Sequence, residues 1–290
     1  MKSIGIATDS HGGISQSEAK KLGIRVLPMP FYFGDECYYE DVSITREEFF
    51  QKLNSGENVS TSQPSPEAVI ELWRDMLKEF EAILYMPMSS GLSGSCNTAR
   101  MLASDEEFEG KVFVVDNGRI STLQHRSILD ALELIEEGYS AKEIQDILEK
   151  SRNDMTIFIA VENLEYLKRG GRISPATAMI GTVLNIKPIL RLETGILESF
   201  SKCRGMKKAK SDMLLAMKKE LETTFSEYYK NNEVYMLAAT SADEETTKEW
   251  VEEIREYFGL EVLSDPLSLG ISCHTGEGAL GIGISCRPKR

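Results

Sequence analysis

The chain lacks most of the features that announce a chemistry at a glance. No apolar run is long enough to span a bilayer, so stable membrane insertion is not expected. Its five cysteines (Cys37, Cys96, Cys203, Cys273 and Cys286) are odd in number and form no C-x-x-C pair. That pattern argues against a disulfide framework and against a zinc site. Positive charge is scarce: 33 basic residues face 46 acidic ones, for a formal net charge of -13. A surface of that average sign disfavours nucleic acid and anionic membrane as main partners, while leaving room for a local basic patch. The opening M-K-S-I-G-I-A-T-D-S has neither the apolar core nor the cleavage site of a signal peptide, and a cytoplasmic location is expected. Repeats and low-complexity segments are also missing.

What is present is an ordinary globular composition at a length of 290 residues, enough for two domains or one large one with a sizeable core. Strand-like and helix-like segments alternate. Ser3 to Thr8 reads as a buried strand, followed by a short helix stopped at Gly23. Arg25 to Phe33 reads as a strand. Thr45 and Glu48 form a capping-box pattern ahead of Phe49, Phe50 and Leu53. Ser65 and Pro66 start a helix that Ile70, Trp73, Leu77 and Phe80 continue at helical spacing. Ala82 to Met88 and Val112 to Val115 read as strands, and the chain from Gly94 onward as a helix. Arg126 to Ile135 and Ala141 to Leu148 read as helices parted by Gly138. The polar stretch 151–154 is the best domain boundary, which predicts domains over 1–153 and 154–290. Beyond it come a strand over Met155 to Val161, a short helix ending at Gly170 and Gly171, and a hairpin around Thr194 and Gly195. A methionine stripe (Met206, Met213, Met217) continues through Leu221 and Phe225 along one face of a long helix and reads as core. Val234 to Thr240, Glu244 to Phe258 and Ala279 to Ser285 then read as strand, helix and closing strand. The alternation predicts an α/β architecture with a largely parallel sheet in the first half.

Four small-residue loops stand out against this background: T-S-Q-P-S-P from Thr61, S-S-G-L-S-G-S from Ser89, R-G-G-R-I-S from Arg169, and C-H-T-G-E-G-A-L-G from Cys273. The second sits where a strand hands over to a helix. Unpaired N–H groups and the positive end of the helix dipole gather there, and an anion is the natural guest. Ser90, Ser93 and Ser95 offer hydroxyl donors. The loop is not a Walker A loop, because it lacks the glycine-lysine-serine/threonine ending, and it departs from the G-x-S-x-G nucleophile elbow. With Ser65 assigned as a helix cap, Thr61 and Ser62 are left to point elsewhere. His274 precedes three glycines and can donate to a carboxylate or act as acid or base near neutral pH. His11 lies two residues after Asp9 and borders the same region, whereas His125 has no such setting. Arg169, Arg172 and Arg204 are cations in glycine-adjacent positions of an acidic chain, suited to phosphate or carboxylate. Together the loops point to one buried polar site.

In order, T-D-S (Thr8 to Ser10), T-S-Q-P-S, S-S-G-L-S-G, L-x-Y-L-K-R-G-G-R-I-S (Leu164 to Ser174) and H-T-G-E-G-A-L-G resemble the signature of the DegV family of bacterial fatty-acid-binding proteins. The resemblance runs from Thr8 to Gly281. It implies two α/β domains of DegV-like (EDD) type with a buried acyl-chain tunnel. It implies that Thr61, Ser93 and His274 hold a long-chain fatty acid by its carboxylate. Ser62, Gly94 and Ser10 are then secondary residues of the ligand loops. It further implies a non-catalytic role in phospholipid metabolism, with no cofactor or metal beyond the bound fatty acid. The carboxylate would be presented to a separate ATP-dependent fatty acid kinase subunit that makes an acyl phosphate, with Arg172 and Arg204 at the partner-facing mouth. Three positions depart from the pattern: His11 where a small hydroxyl residue is common, Cys96 where a larger side chain is usual, and Glu277 where proline is frequent. Two other readings of the same loops stay open. One is a hydrolase with Ser93 as nucleophile and His274 as base, and the other is a binder of a small anionic metabolite such as a sugar phosphate.

Overall fold

A parallel sheet organises the first half of the chain. In the computed structural model, which describes residues 2–162, 164–178, 186–193 and 196–290, the chain divides into two units. The first is Met1–Arg152 with Pro288–Arg290, and the second is Asn153–Arg287. The first unit runs β1 (Lys2–Asp9), α1 (Gln16–Leu22), β2 (Arg25–Leu27), β3 (Pro30–Phe33), β4 (Glu36–Tyr39), α2 (Arg46–Asn54), β5 (Val59–Thr61), α3 (Pro66–Met76), β6 (Phe80–Met86), α4 (Ser95–Ala103), β7 (Val112–Val114), α5 (Thr122–Glu136) and α6 (Ala141–Lys150). Strands β2, β1, β6 and β7 lie side by side, all parallel.

Both faces of this sheet are covered, which is why its strands read as nearly continuous apolar runs. Successive side chains point to opposite faces. Ile6, Leu84 and Met86 therefore pack with α1, α5 and α6 on one side. Ala7, Ile83 and Tyr85 pack with Val69, Trp73 and Met76 of α3 and with Cys96 and Ala99 of α4 on the other. Phe80 does not extend α3 as its spacing suggested. The helix stops at Met76, and Phe80 opens β6 opposite Lys2, because strand pairing claims it first.

The segment 25–33 is likewise two strands rather than one. Pro28 has no N–H to give a ladder. The chain leaves the parallel sheet after Leu27 and enters a small antiparallel sheet, ordered β4, β3, β5, at Pro30. The capping box on α2 forms as the sequence indicates, with the Thr45 hydroxyl and Glu48 carboxylate each accepting a backbone N–H of the other residue. This sets Phe49 edge-on to Phe31, with ring centroids 5.4 Å apart.

The second unit contains β8 (Met155–Ala160), α7 (Glu165–Gly170), α8 (Pro175–Ala178), β9 (Ile186–Glu193), β10 (Ile196–Arg204), α9 (Gly205–Glu222), α10 (Ser226–Lys230), β11 (Val234–Thr240), α11 (Glu244–Phe258), β12 (Val262–Pro266), α12 (Leu269–Thr275) and β13 (Leu280–Cys286). Its six-stranded sheet is ordered β10, β9, β8, β13, β11, β12, antiparallel except between β11 and β12. The strand that closes the sequence thus lies inside the sheet. The expected hairpin is β9 paired with β10, although Thr194 and Gly195 themselves fall outside the described residues. Met213, Met217, Leu221 and Phe225 are buried against Phe158, Ile282, Ile284 and Trp250, so the methionine stripe is core.

Candidate functional site

In the first unit two polar segments meet. Thr61 is the last residue of β5 and pairs with Phe31 of β3. It therefore belongs to a strand end rather than a free loop. The next residue, Ser62, is exposed and donates its N–H to the Pro30 carbonyl at 3.2 Å. Gln63 then reaches the other segment: its Oε1 accepts the Thr98 hydroxyl of α4 at 3.1 Å. The same oxygen would lie 3.2 Å from a Cβ placed on Gly94, so the smallness of residue 94 leaves room for this bridge. Ser65 caps α3 through the Ala68 N–H, as its position before Pro66 suggested.

The serine segment is held from several sides, and its hydroxyls are not equivalent. Ser90 donates to Asp116 Oδ2 at 2.6 Å, so its proton is already committed. The Ser93 hydroxyl accepts the Ser95 N–H at 3.2 Å, which leaves its own proton to be given elsewhere. Gly94 is the N-cap of α4 and supplies no side-chain cap. Ser95, in the first turn, is 5% exposed, and its hydroxyl has no hydrogen-bond partner among the described residues. A helix start with a spare hydroxyl proton beside it is an anion-accepting arrangement.

Asp116, just past β7, anchors this segment. Arg152 lies 3.2 Å from its Oδ2 and Arg100 of α4 3.8 Å. Burial alone would push the Asp116 carboxyl up. The Ser90 bonds and the two guanidinium groups outweigh it and hold the carboxyl below its ordinary range. Cys96, buried in the first turn of α4, is pushed up to about 12, chiefly by burial and then by the Asp116 charge. It is a neutral thiol at physiological pH and no nucleophile there. Ser10 is half-buried, and its hydroxyl accepts the Met29 N–H at 3.0 Å. His11 is buried, its N–H bonded to Asp9 Oδ1 at 3.0 Å. His125 is buried on α5, with Nε2 3.9 Å from Glu18 Oε1.

In the second unit His274 is not on a loop. Ser268 caps α12 through the Ile271 N–H, and His274 sits in the last turn, half-buried. The glycines that follow made the stretch read as loop; the cap at Ser268 was the overlooked signal. The two glycines of R-G-G-R have different causes. Gly171 ends α7 in the left-handed region at φ 65°, with no atom of the described residues within 4 Å of a Cβ placed on it. It is glycine for its backbone angle. Gly170 is helical, and a Cβ there would fall 2.0 Å from His274 Nδ1. It is glycine because the imidazole occupies that space. A reciprocal contact lies nearby: a Cβ on Gly276 would come within 2.9 Å of the Tyr166 ring of α7. Arg169 spans that ring from 5.0 Å. Arg172 is half-buried and turns its guanidinium back onto the Gly170 carbonyl. Arg204 is exposed at the end of β10, immediately before α9.

Thr61, Ser62, Ser93, Gly94 and Ser10 thus belong to the first unit, and His274, Arg172 and Arg204 to the second. Sequence reasoning missed Gln63 and Asp116. The latter was signalled by a polar D-N-G run directly after the apolar strand 112–115. Among the described residues no group of three or more His, Cys, Asp or Glu is placed to hold a metal ion. No described helix is long and apolar enough to cross a membrane.

Comparison with known proteins bears on this arrangement. A family model described as "Uncharacterised protein, DegV family" matches residues 3–287. A DegV domain-containing protein of Halalkalibacterium halodurans is 31% identical over 286 residues, covering 97% of this chain and 98% of that protein. A solved structure described as fatty acid binding of a DegV family protein from Thermus thermophilus is 34% identical. It superposes with a TM-score of 0.87 over 99% of this chain and 100% of that one. The structure of DegV, a fatty acid binding protein from Bacillus subtilis, is 27% identical with a TM-score of 0.82, over 99% of this chain and 100% of its own.

Proposed function

The chain belongs to the DegV family, and from that premise we propose that it binds a long-chain fatty acid, with Thr61, Ser93 and His274 holding the carboxylate. The observation that carries this reading is the whole-length correspondence with the Thermus thermophilus protein, whose structure is described as fatty acid binding. The local geometry supports the polar end. Ser93 accepts from Ser95 and so keeps a proton to donate, at a helix start where the Ser95 hydroxyl is buried with no hydrogen-bond partner among the described residues. The His274 imidazole occupies the space that a side chain at Gly170 would fill.

Energetics favour such a division of labour. Burying each methylene contributes roughly 0.8 kcal/mol, so a long acyl chain gains about 10 kcal/mol before ordering costs. Desolvating the carboxylate opposes this, and each charge-assisted hydrogen bond returns roughly 1.5–3 kcal/mol. The acyl chain supplies affinity and the polar end fixes orientation. In the proposed role the protein does no chemistry itself. It presents the carboxylate to a separate ATP-dependent kinase subunit, with Arg172 and Arg204 serving the partner or the nascent phosphate.

Titrating palmitate into the protein and its Ser93→Ala variant tests the reading. The lost hydroxyl should cost about 1–3 kcal/mol of affinity. Stability should fall by no more than about 1 kcal/mol, since Ser93 also receives one N–H of α4. Unchanged affinity with a markedly lower thermal midpoint would make Ser93 a cap and nothing more.

A further inference from the structure

The T-D-S motif at the end of β1 has no part in the proposed ligand contacts beyond a secondary place for Ser10, yet all three of its side chains are engaged. Thr8, fully buried, donates to the Met86 carbonyl at 2.7 Å, at the last residue of β6. Asp9, 1% exposed, accepts the Met88 N–H on Oδ2 at 2.8 Å. Ser10 accepts the Met29 N–H at 3.0 Å. Gln124 of α5 braces the group from behind, donating from Nε2 to Thr8 Oγ1 at 2.8 Å and lying 3.2 Å from Asp9 Oδ1.

The Asp9 and Ser10 bonds each lead on to a proposed ligand residue. Met88 is followed by Ser89, whose carbonyl accepts the Ser93 N–H at 3.2 Å. Met29 precedes Pro30, whose carbonyl accepts the Ser62 N–H at 3.2 Å, and the next residue, Phe31, pairs with Thr61. Asp9 and Ser10, adjacent in sequence, thus hold one arm to the Ser93 segment and one to the Thr61 segment. We propose that Asp9 and Ser10 are positioning residues that set the spacing between the Thr61 and Ser93 hydroxyls, so that both reach one carboxylate. This rests on the carboxylate reading of those two hydroxyls. It explains why an acid stands buried beside a site for an anion: two N–H groups and an amide satisfy its charge, and it acts through the backbone rather than on the ligand.

The test compares palmitate with hexadecanol, which has the same chain but no carboxylate, on Ser10→Ala, Ser10→Thr, Asp9→Asn, Thr61→Ala and Ser93→Ala. Ser10→Ala should weaken palmitate on the order of tenfold while leaving hexadecanol unchanged, and Ser10→Thr should restore it. Asp9→Asn, if folded, should show the same selective loss. Ser10→Ala should add little to Thr61→Ala, because both then report the same missing contact. Equal weakening of both ligands, or of neither, by Ser10→Ala while Thr61→Ala still weakens palmitate would overturn the positioning role alone. If neither Thr61→Ala nor Ser93→Ala discriminates palmitate from hexadecanol, the carboxylate reading fails and this inference with it. Ser10 is half-buried, so its variants decide the matter even if Asp9→Asn does not fold.

Discussion

Replacing Gly170 with alanine makes the sharpest demand on the proposed role of His274. The added methyl would sit 2.0 Å from His274 Nδ1, 2.6 Å from Cε1 and 3.2 Å from Cγ. The nearest ring atom must retreat by about 1.4 Å to reach the ordinary contact distance of 3.4 Å. Gly170 is helical backbone and cannot yield, whereas the imidazole can turn about its χ angles. The ring therefore swings, and the overpacked contact costs about 1–3 kcal/mol of stability. If His274 donates to the fatty acid carboxylate, the swing also removes a charge-assisted bond of roughly 1.5–3 kcal/mol, a loss of about 10- to 150-fold in affinity. Palmitate titration beside thermal denaturation reads both effects. Two controls separate the causes. Gly171→Ala meets no neighbour among the described residues but strains a left-handed backbone at φ 65°, so it should lower stability and spare affinity. Gly170→Ala combined with His274→Ala should regain the stability lost to crowding and bind no worse than His274→Ala alone. A Gly170→Ala protein that binds palmitate as tightly as the parent would refute the reasoning, as would one in which Gly171→Ala costs as much affinity.

Two further outcomes are expected. Arg172→Ala should leave palmitate affinity nearly intact while lowering acyl phosphate formation in an assay reconstituted with an ATP-dependent fatty acid kinase; loss of palmitate binding would move Arg172 into the carboxylate site. Asp116→Asn should lower stability at neutral pH by about 1–3 kcal/mol through loss of the Ser90 and Arg152 partners. Because the folded carboxyl of Asp116 is held below its unfolded value, its contribution is complete above that value, about pH 4, and is lost as pH falls through the folded pKa. Urea unfolding across pH should show parent and Asp116→Asn converging on the acid side, and a constant gap would contradict the assigned charge.

Much of the fold was legible because local signals agreed with tertiary demands. Asp243 caps α11 and Gly259 ends it, so Glu244 to Phe258 could be read to the residue. The β11 strand, 234–240, was equally clear as an apolar run buried in the sheet. Failures came where pairing overrode spacing. Phe80 continues a helical pattern in the sequence, yet a strand partner takes it. Pro28 marked the break between two sheets, but only knowledge of two separate ladders gives it that meaning. Among the proposed ligand residues, the motifs drew attention to small or hydroxylated side chains. They did not expose the braces: Gln63 on Thr98, Asp116 on Ser90, and the imidazole that fills the place of a Gly170 side chain. Each of these is a contact between residues far apart in sequence, and no periodicity encodes it.

The central claim is that this chain carries a fatty acid, and the most direct measurement is of what the purified protein holds. The protein, expressed in bacteria and purified without added lipid, would be extracted with organic solvent and the extract analysed by mass spectrometry against a protein-free control. Long-chain fatty acid approaching one molecule per chain is the predicted result, falling in the Ser93→Ala and His274→Ala proteins. An extract no richer in fatty acid than the control, from a folded protein that also fails to bind palmitate on titration, would contradict the account.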